Sequence, residues 1–257
     1  MFPKSVPLAP LMAAAVLSAC GRRPPPPPAN PQAAAAKADY AASPEVRSAR
    51  MTGGAATLEG SAAPGAVVRL ATPAGAAVTT RADVSGRWRL AIPAAPEARI
   101  FGLSQRAGGR LVQAQGYVLL SPDGKAALLR AGAGATRLDP AAGPRLGALD
   151  FDRDGAAIVS GAAPPGAWIS LRLDGRQAAE ARADAAGRYD VALTRLAHGS
   201  HVLQVVGDGF SSAARVEISP AAPLVAGPLH SQFTKGGGLR ADWLTPGGGE
   251  QSTVLLD

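Results

Sequence analysis

The stretch Gly60-Ser61-Ala62-Ala63-Pro64-Gly65-Ala66-Val67-Val68-Arg69-Leu70 returns further along the chain as Gly161-Ala162-Ala163-Pro164-Pro165-Gly166-Ala167-Trp168-Ile169-Ser170-Leu171. A second block, Arg81-Ala82-Asp83-Val84-Ser85-Gly86-Arg87-Trp88, returns as Arg182-Ala183-Asp184-Ala185-Ala186-Gly187-Arg188-Tyr189. Gly65 to Gly166 and Gly86 to Gly187 are both 101 positions, so the two blocks hold one offset with no insertion between them. A period near a hundred residues indicates tandem domains, because solenoid repeats run at roughly 20–50 residues.

Each copy reads as strands. Ile169, Leu171 and Leu173 alternate with Ser170, Arg172 and Asp174, and Val68 and Leu70 take the matching places in the first copy. A period of two predicts one buried and one solvated face. After the Ala-Asp-x-x-Gly turn, Trp88 and Leu90 alternate with Arg87 and Arg89, as Tyr189, Val191 and Leu193 do with Arg188 and Asp190. Gly86 and Gly187 sit where a tight connection demands positive φ. The Pro-Gly pairs at 64–65 and 165–166 read as turns. Further apolar runs at 100–104, 111–120, 201–206 and 215–218 give turn signals about every ten residues, the spacing of a sandwich. Two hairpins flank the copies: 117–120 with 126–130 around Ser121-Pro122-Asp123-Gly124-Lys125, and 146–151 with 156–160 through Asp152-Arg153-Asp154-Gly155. Glycine-rich punctuation at 236–238 and 247–249 separates three further segments, 229–234, 239–244 and 251–256. These are expected to form a small meander or to add strands to the second sandwich.

The repeat, carried by Gly60, Pro64, Gly65, Leu70, Asp83, Gly86, Trp88 and their partners, resembles the bacterial Ig-like domains of surface and envelope proteins. The resemblance implies a small antiparallel sandwich without a disulfide. It implies no activity, since such folds serve as spacers, stalks or adhesin modules. The fold expected is all-β, with two tandem Ig-like sandwiches.

The N-terminus carries an address. Lys4 precedes an apolar stretch from Val6 to Val16 that ends in Leu17-Ser18-Ala19-Cys20, and Cys20 is the one cysteine of the chain. The stretch is too short to span a bilayer and reads as a cleaved secretory signal. A lone cysteine in an exported chain has no intramolecular disulfide partner. The pattern resembles the lipobox of bacterial lipoproteins, which implies a lipid on the Cys20 sulfur and a mature chain that begins there. Gly21 in place of Asp resembles the outer-membrane sorting signal of Gram-negative lipoproteins. Beyond Cys20, the proline run 24–28 and the alanine run 33–36 favour an extended tether. The expected organisation is signal 1–19, tether 20–50, first sandwich 51–135, second sandwich 145–220 and C-terminal β segment 221–257.

Composition narrows the function. Aromatics are 4%, so the cores rest on Val, Leu, Ile and Ala, while 31 Gly and 23 Pro favour turns and strands. The formal charge of +7 comes from arginines scattered along the chain. This pattern fits solvated strand faces or attraction to anionic envelope polymers. Nucleic acid is not expected as a partner for an exported chain so poor in aromatics.

Asp150, Asp152, Asp154 and Gly155 match the opening of a calcium loop, but position twelve is Gly161 instead of a glutamate, and the flanks read as strands, so a hairpin turn is expected. His198, His201 and His230 are too few for zinc without cysteine. No metal, cofactor or catalytic residue is expected. The Gly-rich stretches lack the Lys-Ser/Thr of a phosphate loop, and no nucleophile elbow is present. Trp168, Trp243 and Arg240 are the candidate contacts for a ligand or partner. Trp168 runs out of phase with Ile169 and Leu171, which leaves it either exposed or packed under the C-terminal segment.

Two functions remain in view. One is a lipid-anchored, non-catalytic scaffold or spacer of the cell envelope, held at the outer membrane, facing the periplasm or displayed outward, and presenting a surface to an envelope protein. The other is a carbohydrate- or peptidoglycan-binding module.

Overall fold

The computed structural model describes residues 42–140, 143–193 and 195–257. The expected signal, Cys20 and most of the expected tether lie outside these residues. Every regular element among the described residues is a β-strand, and every strand pairing is antiparallel. The all-β sandwich expectation is therefore borne out.

The first sandwich contains β1 (Glu45–Thr52), β2 (Ala55–Ser61), β3 (Val67–Ala71), β4 (Ala77–Arg81), β5 (Arg87–Pro93), β6 (Arg99–Ala107), β7 (Arg110–Leu120), β8 (Ala126–Leu129) and β9 (Thr136–Arg137). One sheet runs β1-β2-β5 and the other β4-β3-β6-β7-β8-β9. The second sandwich contains β10 (Arg145–Phe151), β11 (Ala157–Ala162), β12 (Trp168–Leu173), β13 (Arg176–Arg182), β14 (Arg188–Leu193), β15 (Gly199–Gly207) and β16 (Phe210–Ile218). The chain then adds β17 (Leu229–Phe233), β18 (Leu239–Leu244) and β19 (Glu250–Leu255). Its sheets run β14-β11-β10-β19-β18-β17 and β13-β12-β15-β16. The β1 strand begins inside the stretch expected as tether, and Leu138, beyond the expected end at 135, is buried in the first core.

The repeat has a packing reason. Gly60 lies directly across from Trp88, and Gly161 from Tyr189. A Cβ on Gly60 would fall 1.9 Å from the Glu45 carbonyl and 2.5 Å from the Trp88 ring. On Gly161 it would meet the Tyr189 hydroxyl at 2.2 Å and the Arg145 carbonyl at 2.3 Å. Only hydrogen leaves room for a large ring to lie across the strand. Gly86 and Gly187 turn with φ of 78° and 73°, and an added Cβ would lie 2.5 and 2.6 Å from the carbonyls of Ala62 and Ala163. The preceding aspartate finishes each turn: Asp83 Oδ1 accepts from the amides of Ser85 and Arg87, and Asp184 Oδ1 from those of Ala186 and Arg188.

The two copies extend their sheets differently. In the first, β8 and β9 continue the sheet beyond β7, and the Ala49 amide donates to the Leu138 carbonyl at 2.9 Å, which ties β1 to that extension. In the second, β19 pairs with β10, the counterpart of β1, and brings β18 and β17 with it. The C-terminal meander therefore belongs to the opposite sheet from β16.

This addition creates a third core. Beside the cores inside each sandwich, Ile100, Leu119, Ala127, Leu129 and Ala135 of the first copy pack against Ala148, Leu239, Ala241, Trp243 and Leu255. The outer faces of one sheet from each sandwich thus meet, and residues 41–257 form one compact unit. Trp243 is fully buried at the centre, edge-to-face with Tyr117 at 6.0 Å between ring centroids. Its indole N–H donates to Thr253 Oγ1 at 3.1 Å.

The third core predicts that Trp243→Ala destabilises the chain by about 3–5 kcal/mol, the usual cost of truncating a buried aromatic. Urea denaturation of the wild type is expected to show one transition covering both sandwiches. The variant is expected to unfold earlier, with the two sandwiches separating into two transitions. A midpoint unchanged by the substitution would contradict this role.

Candidate functional site

Of the three residues nominated from the sequence, only Trp168 reaches solvent. It opens β12 on the outer face of the four-stranded sheet, and its side chain is 66% exposed. The meander joins the other sheet, so the expected packing of Trp168 under the C-terminal segment does not occur. Across the sheet, Trp168 pairs with Arg182 on β13, and the next pair on the same face is Ser170 with Glu180. On the other side Ser170 pairs with Val206 of β15, and Asp208 follows the end of that strand. The Arg182 guanidinium lies 5.8 Å from the centroid of the indole, within cation–π range. It is braced there because its Nε donates to the Gly166 carbonyl at 2.8 Å. Arg81 makes the same brace to the Gly65 carbonyl at 2.6 Å in the first copy, where Val67 stands in place of the tryptophan.

Trp243 and Arg240 are internal. Along β18, Leu239, Ala241 and Trp243 enter the third core while Arg240 and Asp242 face the opposite way, yet all five are buried. Arg240 is enclosed by the chain that leaves β16. Its Nη1 donates to Ser219 Oγ at 2.6 Å, and its Nη2 donates to the carbonyls of Ser219 and Pro220 at 3.0 and 3.1 Å and to Ser252 Oγ at 3.2 Å. Its Nε donates to Asp242 Oδ1 at 2.9 Å, where Ser252 Oγ also donates at 2.6 Å. The planar fork suits several acceptors at fixed angles. The charges expected to meet a partner instead fasten the linker to the meander.

A second polar group sits at the junction of the sandwiches. Asp150 is 2% exposed. Its Oδ2 accepts from the Ala135 amide at 2.7 Å, and its Oδ1 from Thr253 Oγ1 at 2.6 Å and Gln251 Nε2 at 3.2 Å. Nearby, Arg137 holds Asp139 through two bonds at 2.8 and 2.7 Å while its Nη1 reaches the carbonyls of Gly147 and Leu256. Arg145 joins the same carboxylate at 3.2 Å. These guanidiniums and the Ala126 amide hold the Asp139 carboxyl below the usual range, against the effect of burial. The bonds that bring Gln251, Thr253 and Leu256 to this junction span more than a hundred positions, beyond the reach of local sequence pattern.

The calcium motif resolves into separate tasks. Asp150 enters the junction, while Asp152 Oδ1 accepts from the amides of Asp154 and Ala156 at 2.9 and 3.0 Å and closes the hairpin turn. No group of three or more His, Cys, Asp or Glu placed to hold a metal occurs among the described residues. His201 lies between Asp174 Oδ2 at 2.7 Å and the Ala197 carbonyl at 3.0 Å, and the Asp174 carboxylate raises its pKa. His198 is exposed, and His230 Nδ1 lies 3.7 Å from Asp242 Oδ2.

No family model matches the chain, and no curated protein matches it. Several solved structures are similar. The BSP domain of a biofilm-associated protein is 13% identical, with a TM-score of 0.25, covering 70% of this chain and 30% of that one. The central fibronectin-III array of RIM-binding protein is 14% identical, with a TM-score of 0.27 and coverage of 82% and 75%. Invasin, a bacterial integrin-binding protein, is 14% identical, with a TM-score of 0.22 and coverage of 84% and 54%. The chain thus spans less than a third of the length of the biofilm protein's chain. Likeness at this level says nothing of ligand or activity.

Asp150 makes the junction sensitive to pH. Burial is the largest influence and pushes its carboxyl up to about 6, against the three hydrogen bonds; the charge of Asp190 adds to the rise. A folded-state value above the ordinary 3.8 means the contribution to stability is complete below about pH 3.8 and is lost as pH rises through about 6. The loss is expected to approach 1.4 kcal/mol per pH unit between those limits, roughly 3 kcal/mol in all. Urea denaturation of the wild type and Asp150→Asn between pH 4 and 7 checks this. The difference in stability between the two is expected to shift steadily toward the variant as pH rises, and a constant difference would contradict it.

Proposed function

We propose that the chain is a non-catalytic, lipid-anchored module of the bacterial cell envelope that holds a rigid pair of sandwiches away from a membrane and presents their outer faces to another envelope component. The observation that carries this reading is the third core. A chain of independent beads joined by linkers bends, whereas two sandwiches sharing a buried apolar layer move as one body. Rigidity of that kind suits a spacer or a presenting scaffold.

Other observations support the reading. The buried polar groups around Asp150 and Arg240, and the half-buried cluster around Asp139, are bonded to partners within the chain and serve the junction and the linker. Arg69, Arg81, Arg87 and Arg89 of the first sandwich stand on solvated faces, and Arg89 pairs there with Glu59. At the N-terminus, Leu17-Ser18-Ala19-Cys20 supplies the attachment, and the proline-rich stretch after it supplies reach. Several acyl chains on one cysteine give a stable anchor, since each buried methylene contributes about 0.8 kcal/mol. Gly21 fits sorting to the outer membrane, with the folded part on the periplasmic side.

Expression of the full chain in a Gram-negative host tests the anchor. Mass spectrometry of the mature N-terminal peptide is expected to find diacylglyceryl on Cys20. Cys20→Ser is expected to move the protein from the membrane fraction to the soluble fraction. An N-terminal peptide that retains Lys4, or an unmodified Cys20 in membrane-bound protein, would overturn the anchoring.

A further inference from the structure

We propose that the outer face of β12, centred on Trp168, is a binding platform for an uncharged glycan, in which the indole stacks on the apolar face of a pyranose ring. This goes beyond the scaffold reading and does not depend on the lipid anchor.

The internal repeat provides a control. Both copies build the same corner: an arginine on the edge strand braced to the turn carbonyl, and a strand position directly across from it. The first copy fills that position with Val67, half-buried, with Arg106 on its far side. The second fills it with Trp168, 66% exposed, with Asp208 beyond the end of β15 on the far side. Folding therefore does not require an aromatic here. An indole held in water on a flat sheet is a cost to solubility that a binding role accounts for.

The surroundings indicate what is bound. A depression of about 320 Å³ lies beside the indole, lined by Ser170, Glu180, Val206 and Asp208, with Arg182 outside it. The guanidinium thus lies over the indole without entering the depression, and the indole, largely exposed, lines it. Ile169 also borders the depression but is buried in the inner core, so apart from the indole its accessible apolar lining is Val206. A stable protein interface buries roughly 800 Å² on each side around an apolar centre, more than this small depression supplies. A sugar ring needs less: one flat apolar surface for its C–H face, with acceptors and donors at its rim for its hydroxyls. Ser170, Glu180 and Asp208 stand at that rim. The two carboxylates repel uronates and phosphates, which selects an uncharged sugar over an acidic one. The shallow, open shape suits the side of an extended chain of sugars more than a single buried molecule.

Trp88 and Trp243 are 4% and 0% exposed, so emission accessible to acrylamide belongs to Trp168. The full chain, purified in mild detergent, is titrated with a β-1,4-linked N-acetylglucosamine hexamer, with insoluble peptidoglycan and with polygalacturonate. The hexamer is expected to shield Trp168 from acrylamide, and peptidoglycan to retain the protein. Trp168→Ala is expected to weaken both by about tenfold or more, the equivalent of one aromatic contact, without changing the thermal midpoint. Trp168→Tyr is expected to recover part of the loss, and Glu180→Gln to weaken the hexamer alone. Absence of binding to the uncharged hexamer, or equal binding of it by Trp168→Ala, would overturn the proposal. A preference for polygalacturonate that disappears in Arg182→Gln would overturn it in favour of a polyanion face. Photocrosslinking through position 168 that captures a protein, with no effect of the hexamer, would overturn it in favour of a protein contact.

Discussion

The architecture depends on burying Trp243 between two sheets that belong to different repeats. An Ig-like sandwich is complete with its two inner faces, and its outer faces ordinarily meet water. Here one outer face of each sandwich is apolar, and each lacks polar cover until the other arrives. The large indole fills the gap at the centre, with Tyr117 against its edge and Thr253 taking its N–H. The consequence is mechanical: what would be two flexibly linked beads is one body, and its surface is defined by that body.

The meander explains how one repeat gave two different neighbours. The first copy lengthens the sheet that holds β7, and the second lengthens the sheet that holds β10. The added strands β8 and β18 then lie in the sheets that meet, and each is buried on both faces. Burial on both faces forces polar side chains along β18 and β19 to find partners inside the protein. Arg240, Asp242 and Ser252 satisfy one another and the linker carbonyls; Asp150, Thr253 and Gln251 do the same at the junction. Asp150 is the costly member of that group, because it is buried and its three hydrogen-bond donors are neutral.

The two faces of the molecule that the repeat makes equivalent differ in chemistry. Val67 and Trp168 occupy one place in the fold and differ in exposure and in the charges around them. A shared scaffold with a few replaced surface positions gives one copy of a repeat a surface of its own while keeping the same sandwich.

Much of the fold was legible in the chain. The period-two alternation of Ile169-Leu171-Leu173, the fixed spacing of Gly60 and Gly161, and the Ala-Asp-x-x-Gly turns determined two sandwiches, because these signals act between neighbours in sequence or directly across a hairpin. A further sign of the junction was present and weaker: Tyr117-Val118-Leu119-Leu120, Ala126-Ala127-Leu128-Leu129 and Leu146 to Phe151 are largely continuous apolar runs instead of alternations, the mark of strands covered on both faces. What covers them was not written there. Only the tertiary structure decided that β19 pairs with β10, that Trp243 and Arg240 turn inward and that Trp168 stays out. Each of these outcomes rests on which sheet edge receives the C-terminal strands, and a strand's alternation fixes which side chains share a face without fixing which face meets another sheet.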